Sequence, residues 1–557
     1  MHTNDKAIGL FEKWTVQAIV MLGFLITVFL SAISMMYTEW STEAEKILQQ
    51  PDSLLGNLIF LTITLVLLSL IRLILPKEEE ALSKMVRIVA LLGVMYALIF
   101  SLVWVHLSCV QPYADGWYLC VMADLIEKGL YVIMDSGGYL GSCPQQYGLV
   151  FILQVINHFS GEINWIPFQI FNALHMPLMV FACYRVVWYA FQKKEICVYY
   201  WVLIIGYLPI WMYVPYVYGE IMSITFSMVL LWQALRFCRE RKCNLFCLAG
   251  TAGIACQLRK NSLIMVVACC LILLLYSFCR RNVKALLVII SMVGGILFAD
   301  IALKGYYEHI SNLQIGKGIP YTAYILMGLQ DTEAGPGWYT DLNMELYKQH
   351  NYDTAATAAY CREAIGQRLQ ELMQEGAVDF FYRKAESQWN EPDSHAYYET
   401  EHGPSATETL PWLTDQVYMG TGRTAILYWM DRYHFMIYAC AMFLAFAMLM
   451  GIVKKDIPAS LLFVVLIGGF LFSLLWEAKG RYVLPYMIII VMLSSGGIFS
   501  IQEGVKNLRT VVINKANKRY GTDFNGRDKA PLQIESDHEA QKAKMGMLSE
   551  DMPNKSE

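Results

Sequence analysis

Four stretches of this chain put charged side chains at the very ends of apolar runs. Gln111-Pro112-Tyr113-Ala114-Asp115-Gly116-Trp117-Tyr118 follows the apolar run Ile88 to Leu107 and carries one carboxylate, Asp115, between aromatic rings. Tyr216-Val217-Tyr218-Gly219-Glu220 ends on an acid, Gln257-Leu258-Arg259-Lys260-Asn261 is a basic turn between two apolar runs, and Trp476-Glu477-Ala478-Lys479-Gly480-Arg481-Tyr482 carries both signs. An ionised Asp at the bilayer centre is penalised by about 2.5–3.5 kcal/mol on insertion scales, so a carboxylate this close to hydrocarbon marks a functional site. Asp115 is therefore the candidate general base, because a positioned carboxylate that takes the proton of an attacking hydroxyl is worth roughly 10²–10⁴-fold in rate. Arg259, Lys260 and Arg481 are the candidate phosphate ligands, since Lys and Arg hold phosphate oxygens and Arg does so with a two-pronged fork. Glu220 and Glu477 are secondary acids.

Each of these residues has a structural explanation too. Asp115 could open an interfacial helix. Glu220 could favour the N-terminal dipole of the helix after it. Arg259 and Lys260 could snorkel to headgroups, and Arg481 could pair with Glu477, four residues back on a helix. Asp124 and Glu127 read as the solvated face of an amphipathic helix after Asp115. His106 and His158 are isolated and no Cys-x-x-Cys pair stands out; a divalent metal is not favoured and no other cofactor is expected. Cys109, Cys120 and Cys143 share one loop, so a bridge among them is open, but three thiols cannot all pair.

The elements that must position these residues are membrane spans. The chain has 557 residues, 56% hydrophobic and 16% charged, against about a quarter charged in a soluble domain. Runs of about 20 apolar residues, the length that crosses a hydrocarbon core, recur at 14–36, 54–75, 86–107, 163–190, 196–214, 218–236, 244–258, 261–279, 285–303, 425–452, 457–476 and 482–500. The first run is too long for the apolar part of a cleaved leader. A formal net charge of −4 gives no reason to expect nucleic acid as a partner. Lys and Arg cluster at 77–87, 193–194, 236–242, 280–284, 454–455 and 506–519. Cytoplasmic loops are enriched in these residues, and one side for all six clusters requires twelve crossings with both termini inside. That places the four charged stretches at the outer edge. It also makes Tyr147 to Phe159, apolar but short, a helix lying on or dipping into the outer surface.

The fold class is thus an all-α polytopic membrane protein of about 12 transmembrane helices with a long first outer loop. Residues 1–84 hold two N-terminal spans, 85–303 a transmembrane core with the outer loop 108–162, 304–423 an outer segment, 424–504 the last spans, and 505–557 a polar cytoplasmic tail, disordered beyond about Lys515. Segment 304–423 carries 17 Asp and Glu against 8 Lys and Arg. Its run Thr354 to Gln388 has a helical period broken at Gly376, with Ala356, Ala359, Ile365, Leu369, Leu372 and Phe380 as expected buried positions.

The first outer loop resembles that of a GT-C superfamily glycosyltransferase. The nearest branch is that of the protein-mannosyltransferases and lipid A aminoarabinose transferases, which use polyprenyl-phosphate sugars. Asp115-Gly116-Trp117-Tyr118, Ala123, Gly129, Tyr139 and Pro144-Gln145-Gln146-Tyr147-Gly148 are similar to that branch's Asp-Glu-x-x-Tyr…Ala…Gly…Pro-x-x-Tyr-Gly pattern. The basic turn at Arg259 and the Trp476-Glu477-x-x-x-Arg481-Tyr482 stretch extend it. The resemblance implies a donor sugar on a polyprenyl phosphate, an extracytoplasmic acceptor (a glycan, lipid or protein of the cell envelope), and inverting transfer with Asp115 as base. It also implies a pocket that includes Tyr118, Gln146, Tyr147, Glu477 and Tyr482, a plasma (inner) membrane location, and lipid as a partner. Gly116 departs from it, standing where a second acid is usual, and the first two spans read as an addition before the shared core. A transporter or flippase of lipid-linked sugars is the rival. Such proteins place polar residues near the bilayer midplane, whereas here they gather at one edge.

Overall fold

The computed structural model describes residues 2–41, 46–161, 163–401 and 412–520. Helices α1 (His2–Met36) and α2 (Leu54–Ile74) are joined by an antiparallel hairpin, β1 (Tyr37–Ser41) and β2 (Ile47–Pro51), with Tyr37 opposite Pro51. α3 (Glu79–Ser108) leads into the first loop, which holds α4 (Ala114–Glu127), α5 (Tyr139–Ser142) and α6 (Tyr147–Ser160). Next come α7 (Ile166–Phe191), α8 (Lys194–Gly206), α9 (Leu208–Met212), α10 (Glu220–Glu240), α11 (Leu245–Leu258), α12 (Leu263–Arg280) and α13 (Lys284–Ser311). The second long segment contains α14 (Tyr321–Gly328), α15 (Leu342–Gln349), α16 (Thr354–Glu375), α17 (Ala377–Trp389), α18 (Ala396–Thr400) and α19 (Trp412–Tyr418). The chain then runs through α20 (Thr421–Leu449), α21 (Ile457–Leu475) and α22 (Leu484–Tyr520). Residues 1–501 form one unit; a second begins at Gln502, and the tail expected to be disordered lies mostly outside the described residues.

Ten of the described helices are long and apolar enough to cross a membrane, so the chain is a multi-pass, mainly helical membrane protein. Two of the twelve expected spans fall short. The run at 196–214 breaks into α8, 13 residues, and α9, 5 residues. Pro209 fits the first turn of a helix, not its interior, so a new helix starts there. The run at 244–258 is α11, 14 residues, or about 21 Å at 1.5 Å per residue. It stops where Arg259 turns extended (φ −147°, ψ 117°). Gly295 of α13 brings that helix against α11 so closely that a Cβ on it would lie 2.1 Å from the Ala249 carbonyl oxygen. Small residues allow such approach between helices in lipid.

Several of the basic clusters gather at one end of the bundle. Arg239 forks onto Asp456 ahead of α21 (2.7 and 3.1 Å) and donates to the Tyr189 and Ala190 carbonyls that end α7. Arg280 and Arg281 meet Glu12 and Asp5 of α1, Lys455 meets Gln17, and Lys194 meets Glu79.

The first two spans pack into the bundle. Thr38 donates to Asp431 of α20 (2.7 Å), and Arg432 donates to Asp52 and to Asn57 (2.7 Å). In segment 304–423 the helix does break at Gly376, which sits at φ +122°. Leu372 and Phe380 are buried and Ile365 half-buried, but Ala356, Ala359 and Leu369 face out; Thr357 and Cys361 take the inward places. The real stripe, Thr357, Cys361, Ile365, Arg368 and Leu372, keeps the helical period but is narrower than the alanines suggested. Arg368 belongs to it because its Nε donates to the Leu329 carbonyl (3.0 Å). Cys120 and Cys143 are free thiols, so no bridge forms among the three cysteines of this loop.

The end of the same segment is sunk into the bundle. The Trp389 indole donates to Ser473 Oγ (2.8 Å) and its carbonyl accepts from Tyr438 (2.6 Å); the Ser394 carbonyl accepts from Tyr213 (2.8 Å) and the Asn390 carbonyl from the Glu39 N–H (3.0 Å). Hydrogen bonds of this kind offset much of the cost of sinking a polar stretch among apolar helices, while Gln388 Oε1, Glu391 Oε2 and Asp393 Oδ1 are buried there with no hydrogen bond.

Candidate functional site

Asp115 stands in the first turn of α4, after Ala114 at φ +44°. Its Oδ1 accepts from the Tyr139 hydroxyl (3.1 Å), its Oδ2 lies 4.0 Å from Arg481 Nη2, and 44% of the side chain is exposed. A second acid at position 116 has no room, because a Cβ on Gly116 would sit 2.9 Å from the Val217 carbonyl oxygen.

Two arginines face this carboxylate's surroundings. Arg259 leaves the end of α11 and lies over the Tyr218 and Tyr482 rings (4.8 and 5.6 Å). Arg481, in the one-turn 3₁₀ helix Gly480–Tyr482, lies over the same two rings (5.2 and 5.5 Å). The shared tyrosines hold both cations through their π faces. Gln146 donates to the Tyr218 hydroxyl (2.5 Å), and the Tyr482 hydroxyl donates to Glu477. Arg481 donates to Tyr216 (2.7 Å) and to Glu399 (2.8 Å), and Lys479 lies 3.6 Å from the same Glu399 oxygen. Burial pushes the Glu399 carboxyl up, but Arg481 and Lys479 outweigh it and hold its pKa at about 2. Burial raises the pKa of Glu477. Lys260 is 3.7 Å from Asp300 and is a third exposed.

Asp115, Gln146, Arg259, Lys260, Glu477, Arg481 and Tyr482 all line one cavity of about 530 Å³, as do Lys479, Tyr339 and Tyr398. Three residues expected at the site do not line it. Glu220 lies behind Arg259, 4% exposed, with Oε1 3.1 Å from Arg259 Nη2; neither of its oxygens has a hydrogen bond of good geometry. It borders a small void of about 20 Å³, room for a single water, which shares Arg259, Asn261, Arg481 and Tyr482 with the cavity. Tyr118 is exposed and stacks on Tyr139 (6.0 Å), so it supports the tyrosine that binds Asp115. Tyr147 opens α6 and packs on Tyr307 in the core (4.5 Å), turned away from its neighbour Gln146. The expected Glu477–Arg481 helical pair does not form, because Lys479 is extended ahead of the 3₁₀ turn and Arg481 takes Glu399 instead. Glu399 was not foreseen. It stands 82 residues before its partner and nothing in its own neighbourhood sets it apart.

A second, apolar groove of about 670 Å³ runs between α6, α7, α10, α11 and α13, lined by residues such as Phe151, Ile156, Phe171, Phe226 and Leu303. Leu258, one residue before Arg259, belongs to both the groove and the cavity. Among the described residues no three His, Cys, Asp or Glu side chains converge on a point that could hold a metal ion. Comparison of the chain with protein-family models, with curated proteins and with solved structures found no match.

Proposed function

We propose that this protein is a glycosyltransferase of the GT-C type that moves a sugar from a polyprenyl-phosphate donor to an acceptor on the outer side of a plasma membrane. One observation carries the reading: a half-exposed carboxylate and four cations line a single cavity that shares a wall with an apolar groove between helices. An amphiphile with a phosphate head and a long hydrocarbon tail matches that pair of spaces. The tail lies in the groove past Leu258, and the phosphate meets Arg259 and Lys260, with Lys479 and the free side of Arg481 beyond. The short α11 lets this happen below the membrane surface, since about 21 Å of helix does not cross a hydrocarbon core of about 30 Å.

The acceptor hydroxyl attacks the anomeric carbon from the face opposite the phosphate. A new C–O bond forms as the anomeric C–O bond to phosphate breaks. The hydroxyl proton passes to Asp115 and the bonding pair leaves on the phosphate oxygen, where the cations stabilise it. Configuration inverts. Tyr139 fixes the rotamer of Asp115. Glu220, assigned a possible catalytic role from its position in the chain, serves as counter-ion to Arg259. Polar side chains gathered at one end of the bundle favour this enzyme over a flippase.

The test compares the envelope glycans of cells lacking the protein, cells with the wild type and cells with Asp115→Asn, by mass spectrometry. One hexose-sized mass shift is expected to depend on wild type and to vanish in Asp115→Asn. Identical profiles in all three overturn the proposal.

A further inference from the structure

The wall that segment 304–423 contributes to the cavity is aromatic. Tyr321 and Tyr324 of α14, Tyr339 and Tyr398 line it beside Trp476, with the amides of Gln145 and Asn343 between them. Trp476 lies nearly parallel to Tyr324 (5.1 Å, 10°) and to Phe472 (5.3 Å, 21°), so its ring is fixed. Tyr339 is 45% exposed yet also held. The preceding Trp338 is buried, its indole donates to Ser387 (3.1 Å), and its backbone bridges to Ala478 beside Glu477. The Tyr339 hydroxyl donates to Asp341 (3.0 Å). Burial pushes this phenol above its ordinary range; Asp341, Glu477 and Asp115 add to the shift, so the reacting carboxylate is within electrostatic reach of the ring.

Rigid rings with amides and carboxylates at their edges suit a ligand with one C–H face and a rim of hydroxyls, which describes a pyranose. An interfacial aromatic belt turns its rings toward headgroups; these rings line a concavity. A peptide added as a strand would need an unpaired strand edge, and apart from the isolated bridges at Asp331–Pro336 and Trp338–Ala478 the described residues of this wall are helices and turns. The surrounding segment is strongly acidic, which repels a polyanionic acceptor. We infer that this wall is the acceptor subsite and that the acceptor is a neutral saccharide whose C–H face stacks on Tyr339, with Trp476 fixing the wall beside it.

The inference rests on the transferase reading for the word acceptor, but saccharide binding can be measured without turnover. Wild type and variants in fluorescent nanodiscs are applied to an array of neutral and acidic oligosaccharides with a Ser/Thr-rich peptide as control, and binding of a medium-chain polyprenyl phosphate is measured alongside. At least one neutral saccharide is expected to retain the wild type. Tyr339→Leu and Trp476→Leu each weaken that binding about ten-fold, the factor set by roughly 1.4 kcal/mol. Tyr339→Phe, which keeps the ring, retains it, and polyprenyl phosphate binding stays within about two-fold in every variant, which shows that they are folded. No retained saccharide, equal retention of wild type and both leucine variants, or preference for the peptide or for acidic glycans overturns the subsite. Asp115→Asn separates the two ideas. It is expected to bind the saccharide normally; if the array result stands while Asp115→Asn still transfers sugar, the subsite survives and the catalytic reading falls.

Discussion

If Glu220 exists to neutralise Arg259, removing the arginine alone does more harm than removing both. Glu220 is 4% exposed, its oxygens have no well-formed hydrogen bond, and the Arg259 guanidinium 3.1 Å away is its one ion-pair partner among the described residues. Two unit charges at that distance attract by roughly 5 kcal/mol at an effective dielectric constant near 20. Leaving one member of a buried pair behind costs about 3–5 kcal/mol. Arg259→Met is therefore expected to destabilise by about that amount in a reversible mixed-micelle unfolding titration. Glu220→Gln is milder, because Arg259 keeps the Tyr218 and Tyr482 faces. The double variant recovers at least about 2 kcal/mol relative to Arg259→Met, a coupling of the size that contacting residues show. Binding behaves differently. Both variants lacking Arg259 lose a charged hydrogen bond to the phosphate, about 1.5–3 kcal/mol, or roughly 10–150-fold in the Kd for polyprenyl phosphate. A coupling below about 0.5 kcal/mol refutes the counter-ion role. A stable double variant that binds polyprenyl phosphate like the wild type refutes the phosphate role while leaving the pairing intact.

Asp115→Asn is expected to lower transfer by about 10²–10⁴-fold with polyprenyl phosphate affinity unchanged, measured on purified protein in nanodiscs. Glu399→Gln leaves Arg481 and Lys479 without their shared anion, and Arg481, now 4.0 Å from Asp115, turns to it. Transfer falls and the acid limb of the kcat profile moves to lower pH, whereas a purely structural role for Glu399 would leave that limb in place. Glu39 in the hairpin has its pKa raised from 4.5 to about 8 by burial, then by Glu386. The folded protein therefore keeps a proton that the unfolded chain releases. The stabilisation is complete below 4.5 and is lost as pH rises through about 8. The melting temperature should fall across that window, and the slope should flatten in Glu39→Gln. Gly295→Ala drives α11 from α13 at about 1–3 kcal/mol, and since α11 ends at Arg259, thermal stability and polyprenyl phosphate binding should drop together; an unchanged melt argues against the close crossing.

Spans announce themselves because lipid demands long apolar runs, and the basic clusters assign their ends; both signals are local. The two expected spans that fall short, α8–α9 and α11, are as apolar as the others, and only Pro209 and the Arg259 turn mark where helix stops. Asp115, Arg259, Lys260 and Arg481 stood out for the same local reason, being charges at the margins of hydrocarbon. What could not be read was which charge answers which. Arg481 had Glu477 four residues away and took Glu399, because the chain between 476 and 480 is extended and because residues 383–400 fold into the bundle instead of lying in solvent. That burial depends on partners scattered over the whole chain: Glu39 from the hairpin, Tyr213 before α10, Tyr438 on α20 and Ser473 on α21. An acid in an acidic segment looks like solvated surface until those partners are in place. The same placement ties the site to the N-terminal hairpin. A change at Glu39 or Asn390 acts on the segment that carries Glu399, and through Glu399 on the arginine beside Asp115, so substitutions well away from the cavity should alter the pH profile of transfer before they alter affinity for the donor.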